Sequence, residues 1–404
     1  MKLIADLHIH SKFSRATSPN INVKNISEFA KIKGLNLIGT GDFTHPLWLK
    51  ELKNSFENEN GILTYNKCNF VLSAEVSNIY SQDNKLRKVH NIILAPSFEI
   101  VEQINELFSK KGKLESDGRP IFGKYSCYEL VEDLKKISDD IEIIPAHAWT
   151  PWFGLLGSKS GFDSVEECFK EKSKHIYAIE TGLSSDPLMN WRLSKLDKYT
   201  LVSNSDAHSL WPWRLGREAN IFEMKEITYK NLINAIRNKQ GFVETIEVIP
   251  DYGKYHLDGH RLCNVCLTPE QTKKVKGVCP KCGKPLTIGV LNRVEELADR
   301  EQGYKPKDSI PFKHVIPLSE LIACLENTSV SSQKVQNIYN KLISEFGNEF
   351  NILLYTEKEK LGRVCDKKLL DIILCNRGGK IKINPGYDGE YGKPILEAKQ
   401  EKLF

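Results

Sequence analysis

Leu3-Ile4-Ala5-Asp6-Leu7-His8-Ile9-His10 opens the chain as an apolar run that ends on two histidines one residue apart. Such a run predicts a short strand that delivers a His-x-His pair at its end. The arrangement returns through the first half of the chain. Gly41-Asp42-Phe43-Thr44-His45 follows Leu37-Ile38-Gly39, and Ala74-Glu75 follows Val71-Leu72-Ser73. Val89-His90-Asn91, Pro145-Ala146-His147 and Ser205-Asp206-Ala207-His208 close further runs. Six of the ten histidines therefore sit where strands are expected to end. One buried His is ordinarily a satisfied core residue, but strands that end together bring their terminal side chains together, and a set this large points to chemistry.

The strands expected over 2–8, 35–41, 69–76, 89–95, 141–146, 176–180 and 200–204 alternate with helical stretches over 26–33, 100–110, 127–138 and 165–171. Asp163 or Ser164 is the expected N-cap of the last. Seven strand–helix repeats predict a parallel α/β barrel with its active face at the C-terminal strand ends. The pattern breaks near residue 250, where 250–260 carries turn residues and aromatics without periodicity and reads as a linker that makes contacts. A small cysteine module follows at 263–288. Beyond it, Ile338, Leu342, Ile343 and Phe346 mark one apolar helix face, and Leu369, Leu370, Ile372, Ile373 and Leu374 a further apolar run. The expected domains are a barrel over 1–250, linker and module over 251–290, a helix-rich domain over 291–396 and a flexible tail over 397–404.

Composition narrows the classes. A chain of 404 residues, 40% hydrophobic, buries a large core. No apolar run is long enough for a membrane span, and the opening lacks a signal-peptide pattern, so a cytoplasmic, nucleoid-associated protein without a membrane role is expected. Ten cysteines in that setting read as thiols or metal ligands. Residues 1–250 balance 32 basic against 32 acidic side chains, whereas 251–404 hold 25 and 20, so the whole net charge of +5 lies in the C-terminal part. A surplus this small is compatible with nucleic acid without establishing it.

Neutral imidazoles and carboxylates are ligands for zinc, manganese or iron, with magnesium a further option. His8, His10, Asp42, His45, Glu75, His90, His147, Asp206 and His208 are the candidates, enough for two or three divalent ions, with Asp206, Glu75 and His147 at the catalytic centre. Ions about 3.5–4 Å apart clamp a phosphate and generate a hydroxide near neutral pH, which makes phosphoester hydrolysis the expected reaction. Cys263-Asn264-Val265-Cys266 and Cys279-Pro280-Lys281-Cys282 supply four thiolates at the spacing of a closed structural zinc site. Such modules bind nucleic acid in some proteins and only staple the fold in others. The stretch 154–161 lacks the Gly-Lys-Ser/Thr order of a phosphate loop, which excludes that motif. Aromatic and basic residues crowd the loops after His147 and His208. Trp149, Trp152, Phe153, Trp211 and Trp213 are candidates to hold an unstacked base, Lys159, Arg214 and Arg217 to hold phosphates, and Tyr252, Tyr255 and Tyr387 stand next in line.

The His-x-His, Asp42/His45, Glu75, His90, His147 and Asp206-x-His208 set resembles the PHP (polymerase and histidinol phosphatase) superfamily, whose fold is a distorted (βα)7 barrel with a trinuclear site. The resemblance implies one ion on His8, His10, Glu75 and Asp206, a second bridged by Glu75 to His90 and His147, and a third involving His45 and His208. Many relatives have Asp-His adjacent in the second motif, whereas Phe43-Thr44 separates Asp42 from His45 here, which leaves both as candidates. Residues 146–153, 157–162, 203–208, 258–263 and 385–389 resemble one family in particular, endonuclease Q, over nearly the whole chain. That resemblance implies cleavage of damaged DNA 5′ of uracil, hypoxanthine, xanthine or an abasic site. The alternative is a small-molecule phosphatase of the histidinol-phosphate type, for which the 150 or so residues after the barrel have no evident task. Gln400, Leu403 and Phe404 resemble the short Gln-x-x-Leu-Phe peptide that docks bacterial proteins on the replication sliding clamp.

Overall fold

The computed structural model describes residues 1–395, the side chains of residues 57–59 excepted. Its centre is an 11-stranded mixed sheet. The sheet runs from Phe312–His314 through Phe242–Glu247, Ala219–Glu223, Lys2–Asp6 and Leu37–Gly39 to Cys68–Gln82. From there Lys85–Ala95 and Glu142–Pro145 continue it. Ala178–Glu180 and Thr200–Val202 form a separate parallel pair. This pair bridges Glu142–Pro145 and Lys2–Asp6 just beyond their C-terminal ends: Ala148 N–H donates to Glu180 O at 2.9 Å, and Ile9 bridges Ala207 in parallel. The result is a curled, barrel-like wall, and all seven expected strands are present in it.

The wall is not uniformly parallel. Lys2–Asp6, Leu37–Gly39 and Cys68–Gln82 run parallel, but Lys85–Ala95 returns antiparallel along Cys68–Gln82, with Gln82 opposite Lys85. The physical reason is the length of the connection. Only Asp83 and Asn84 intervene, both at positive φ (52° and 57°), as a two-residue hairpin turn requires. A parallel crossover needs a dozen or more residues. Glu75 and His90 consequently sit within this long hairpin rather than at strand ends, with His90 opposite Ser77 and Glu75 two residues back on the same face.

The flanking helices follow local rules. Val23–Lys33 starts on Asn22, whose side chain accepts from Asn25 N, and ends on Gly34 at φ 98°. Cys127–Ile137 carries a capping box between Ser126 and Glu129. Ser164, not Asp163, caps Val165–Phe169. The C-terminal region does not stand apart from the wall. Its strand Phe312–His314 pairs with Phe242–Glu247, and one apolar core contains Ile4 and Ile38 together with Leu321 and Ile373.

Across that junction lies a buried ion pair. Lys33 Nζ donates to Glu349 Oε1 at 2.7 Å and to Pro212 O at 2.8 Å, while Glu349 also accepts from Tyr339 Oη and Leu318 N. Burial pulls the Lys33 ammonium below its ordinary pKa, against the pull of Glu349. Removing one partner of such a pair leaves a desolvated charge and destabilises by about 3–5 kcal/mol. Glu349→Leu or Lys33→Met is expected to lower the denaturant midpoint accordingly, and the double replacement Lys33→Met/Glu349→Leu to cost less than the two singles together. Strict additivity would refute the coupling.

Candidate metal centre and cleft

The donors come from both sides of the curled wall. His8 and His10 follow strand Lys2–Asp6, His147 follows Glu142–Pro145, and Asp206 and His208 follow Thr200–Val202. His147 and Asp206 hold left-handed backbone (φ 29° and 48°), a conformation unfavourable for side chains larger than glycine and concentrated at functional sites. Gly182 lies against His147, where a Cβ would fall 2.9 Å from its Cα and Cβ. Only glycine fits there.

Three groups of potential ligand atoms result: His8, His10 and Glu75; His10, Asp206 and His208; and Glu75, His90 and His147. Glu75 joins two of them. Its Oε1 lies 2.8 Å from His90 Nδ1 and 3.1 Å from His147 Nε2, and its Oε2 lies 3.5 Å from His10 Nε2. Asp206 Oδ1 is 3.1 Å from His10 Nε2, 3.5 Å from His208 Nε2 and 3.7 Å from His8 Nε2. Each ring has one nitrogen inward and, in four of the five, an outer partner on the other. Those partners are Glu180 for His8 Nδ1, Asp42 for His10, Thr150 Oγ1 for His147 and Arg15 O for His208. Outer partners of this kind fix the tautomer and aim the ligating nitrogen.

The electrostatics ask for a cation. Burial opposes the charge of Glu75, but His90 and Arg119 outweigh it and hold the carboxyl well below its usual range. Burial likewise opposes protonation of His8, yet Glu180 and Glu75 push its pKa well above the ordinary value. For His10, Asp42 and Asp206 overcome burial and raise it to about 9. His8 Nε2 is buried without a hydrogen-bond partner and faces both Glu75 and Asp206. An orphaned imidazole nitrogen among carboxylates is what a ligand looks like before its ion is added, so this donor set fits divalent metal.

Asp42 and His45 lie outside the three groups. The Asp42 carboxylate is saturated by Ser11 N, Ser11 Oγ, Ser14 Oγ and His10. It therefore orients His10. His45 stacks on Phe13 at 4.2 Å.

A cleft of about 520 Å³ opens over the donors. Of the expected base- and phosphate-binding residues, Trp152, Phe153, Arg217 and Tyr255 line it. Arg217 is nevertheless engaged, donating twice to Ser205 O. Others are corrected by their surroundings. Trp149 is 1% exposed and donates to Asn190 Oδ1, and Tyr252 is 2% exposed and donates to Glu320, so both are core residues. Trp211 and Trp213 stack on one another at 5.0 Å away from the cleft lining. Arg214 covers the Tyr391 ring, Lys159 turns to Leu286 O, and Tyr387 packs against Gly259. The sequence reading misses Arg15, Arg119, Glu180, Lys254 and Tyr391, all of which line the cleft. Arg119 Nη1 reaches Glu75 Oε2 at 2.9 Å. These residues stand singly in loops or at strand ends, and no motif announces them.

In the cysteine module the grouped atoms are those of His260, Cys263, Cys279 and Cys282. Cys266 is not among them. On the hairpin of Asp258–His260 with Val265–Leu267, His260 is opposite Val265 and Cys266 opposite Gly259, so successive residues put His260 and Cys266 on different faces. His260 Nδ1 lies 3.5 Å from Cys282 Sγ. Although burial pushes the Cys279 thiol up, the backbone N–H groups of Lys281 and Cys282 bring it down to about 7, favouring the thiolate. The spacing His-x-x-Cys equals that of Cys-x-x-Cys, and this was the available signal. His260→Ala is expected to release the module's metal, whereas Cys266→Ser is expected to retain it, as metal content per chain would read. The opposite pattern would restore the four-cysteine set.

Comparison with known proteins agrees with this architecture. Residues 317–380 match the family described as the MJ0043 C-terminal domain. The chain is 35% identical over 262 residues to the uncharacterized protein MJ0043 of Methanocaldococcus jannaschii, covering 64% of this chain but only 32% of that protein. Among solved structures, the lesion-specific endonuclease PfuEndoQ of Pyrococcus furiosus superposes with a TM-score of 0.89 at 34% identity, covering 100% of this chain and 98% of that one. An endonuclease Q in complex with a 27-mer duplex substrate bearing an abasic lesion at the active site superposes with a TM-score of 0.90 at 33% identity, with full coverage of both chains. With a third of its residues identical along its whole length and one shared fold, this chain belongs to the endonuclease Q family.

Proposed function

We propose that this protein is a metal-dependent DNA-repair endonuclease that nicks the phosphodiester 5′ of a damaged nucleotide, a deaminated base (uracil, hypoxanthine or xanthine) or an abasic site. The observation that carries the reading is the Glu75 carboxylate shared between two donor groups on the floor of a cleft walled by aromatic and cationic side chains. Its full-length kinship with an endonuclease Q solved with an abasic lesion supplies the substrate class. The same kinship weighs against the small-molecule phosphatase.

Divalent ions, zinc, manganese or iron with magnesium as a further option, would supply a water deprotonated near neutral pH and a clamp on the scissile phosphate. His8, His10, Glu75 and Asp206, with His90 and His147, are the residues to hold them, and His208 would extend the set toward a third position. Glu180, Asp42, Thr150 and the Arg15 carbonyl keep the rings aimed. Arg119 and Lys254 face the cleft as cations for the transferred charge, and Trp152, Phe153, Tyr255 and Tyr391 offer surfaces on which an extruded nucleotide stacks. Zinc on the cysteine module is the structural counterpart, and binding there would contribute folding free energy.

Two further assignments belong to this reading. In it the enzyme is cytoplasmic and acts on the nucleoid; no described helix is long and apolar enough to cross a membrane. Gln400, Leu403 and Phe404, which lie outside the described residues, would tether the enzyme to the sliding clamp and raise its effective concentration at DNA. Removing residues 400–404 is expected to leave intrinsic nicking intact and abolish clamp binding in a pull-down; undiminished binding would discard the tether.

The direct test offers wild-type protein a uracil or abasic duplex and, separately, histidinol phosphate. Nicking of the duplex without phosphate release is expected. Asp206→Asn keeps the side chain's size but removes the charge a hard cation needs, and is expected to lose more than 100-fold in nicking while retaining DNA binding. Full activity in this variant would refute the metal assignment.

A further inference from the structure

Asp206 carries its ligand oxygen on left-handed backbone at φ 48°, and a residue stays in that conformation only when its surroundings over-determine it. The residue before it is held from both sides. Ser205 N–H donates to Asp6 Oδ1 at 3.1 Å, and the Ser205 hydroxyl donates to Asp6 Oδ2. On the other side, Arg217 Nε and Nη2 both donate to Ser205 O, at 3.1 and 3.0 Å. That carbonyl belongs to the peptide plane whose rotation about the Asp206 N–Cα bond is the strained φ, so the guanidinium fork fixes it directly.

The clamp reaches beyond one residue. Asp6 Oδ2 also accepts from Gly216 N at 2.9 Å, so a single carboxylate pins the start and the end of the loop that bears Asp206 and His208. Past Asp206, His10 N donates to Ala207 O at 3.0 Å. Asp6 and Ser205 are fully buried, and Arg217 is 4% exposed. Arg217 borders the cleft, yet its Nε/Nη2 edge, one with which a guanidinium grips a phosphate, is occupied by the backbone, and its Nη1 turns to Tyr391 Oη at 3.4 Å. The other left-handed ligand is held by a similar device: His147 N–H donates to the buried Glu180 Oε1 at 2.8 Å.

We propose that Asp6 and Arg217 are positioning residues for the metal centre: from opposite sides they lock Ser205 and so present Asp206 Oδ1 to the nitrogens of His8, His10 and His208. The inference rests on the metal-dependent reading above and deepens it by naming what fixes this ligand. It also removes Arg217 from the phosphate-binding set.

Manganese binding without DNA, read from the EPR signal of the free ion, tests the clamp, with the unfolding midpoint of metal-free protein as the folding control. Asp6→Asn keeps the size but has a single acceptor oxygen, which leaves either Ser205 N or Gly216 N facing an amide N–H. Groups that aim a metal ligand change affinity by about 10- to 100-fold when replaced, and a loss of that size is expected here. The manganese needed for half-maximal nicking is expected to rise by the same factor, while the rate at saturating manganese stays within about tenfold of wild type. Arg217→Lys keeps the charge but loses the two-pronged grip on Ser205 O, and is expected to weaken manganese binding in the same direction. Because both residues act on Ser205, the double variant is expected to lose less than the product of the two single losses. Wild-type manganese affinity in either folded variant would overturn the proposal, and so would a lowered midpoint at unchanged affinity, the mark of a purely structural role. Weaker DNA binding by Arg217→Lys at unchanged manganese affinity would return the arginine to the phosphates. Should Asp6→Asn fail to fold, Arg217→Lys decides alone. Wild-type protein that binds manganese without nicking would fail the proposed activity and leave the clamp standing if the variants bind the ion weakly; nicking with unshifted affinity in the variants would do the reverse.

Discussion

The Glu75 carboxylate is the constraint on which the rest of the structure depends. It is fully buried and lies within 4 Å of imidazole nitrogens from His8, His10, His90 and His147 and of the Arg119 guanidinium. A carboxylate in such a position is tolerable only when its charge is answered. The fold answers it from segments far apart in the chain. The hairpin of Cys68–Gln82 with Lys85–Ala95 sets Glu75 and His90 on one face, and the parallel strand Lys2–Asp6 brings in the His-x-His pair. An ion between these groups would replace the arginine and the His8 and His10 imidazoliums as the neutralising charge, which is why burial at this point favours binding metal over excluding it.

Much of this centre is legible in the sequence, and the reason is local. His8, His10, Glu75, His90, His147, Asp206 and His208 each follow or lie in an apolar run that specifies a strand, so residue type and position carry the signal together. Asp42 has the same signature yet is turned to His10 by Ser11 and Ser14, which no pattern along the chain reveals. Arg119, Glu180, Lys254 and Tyr391 are invisible for the opposite reason, because each owes its role to tertiary placement alone. Aromatic content misleads in the loops: Trp149 and Trp152 stand three residues apart, yet the first is packed into the apolar core with its indole N–H satisfied by Asn190 while the second lines the cleft. Parallel strands were the natural expectation, but a two-residue connection at Asp83-Asn84 decides the direction of the return strand.

The segment following the barrel joins the two metal-binding regions. Lys254 and Tyr255 line the cleft, Asp258 caps the helix Val290–Leu297 by accepting from Gly289 N, and His260 reaches the cysteine cluster. The strand Asp258–His260, which carries His260, therefore begins three residues after the cleft-lining Tyr255. Because His260 rather than Cys266 is grouped with Cys263, Cys279 and Cys282, a metal bound there would tie this segment to the module.

The central claim is that the Glu75 centre uses bound metal to cut DNA at a lesion. It is tested most directly by single-turnover cleavage of an end-labelled duplex holding one abasic site, using protein stripped by chelation and then reloaded with manganese. The account predicts no product from the stripped protein and, after reloading, a single nick immediately 5′ of the lesion. Cleavage that survives chelation, or a reloaded enzyme that leaves the lesion strand intact, would contradict it.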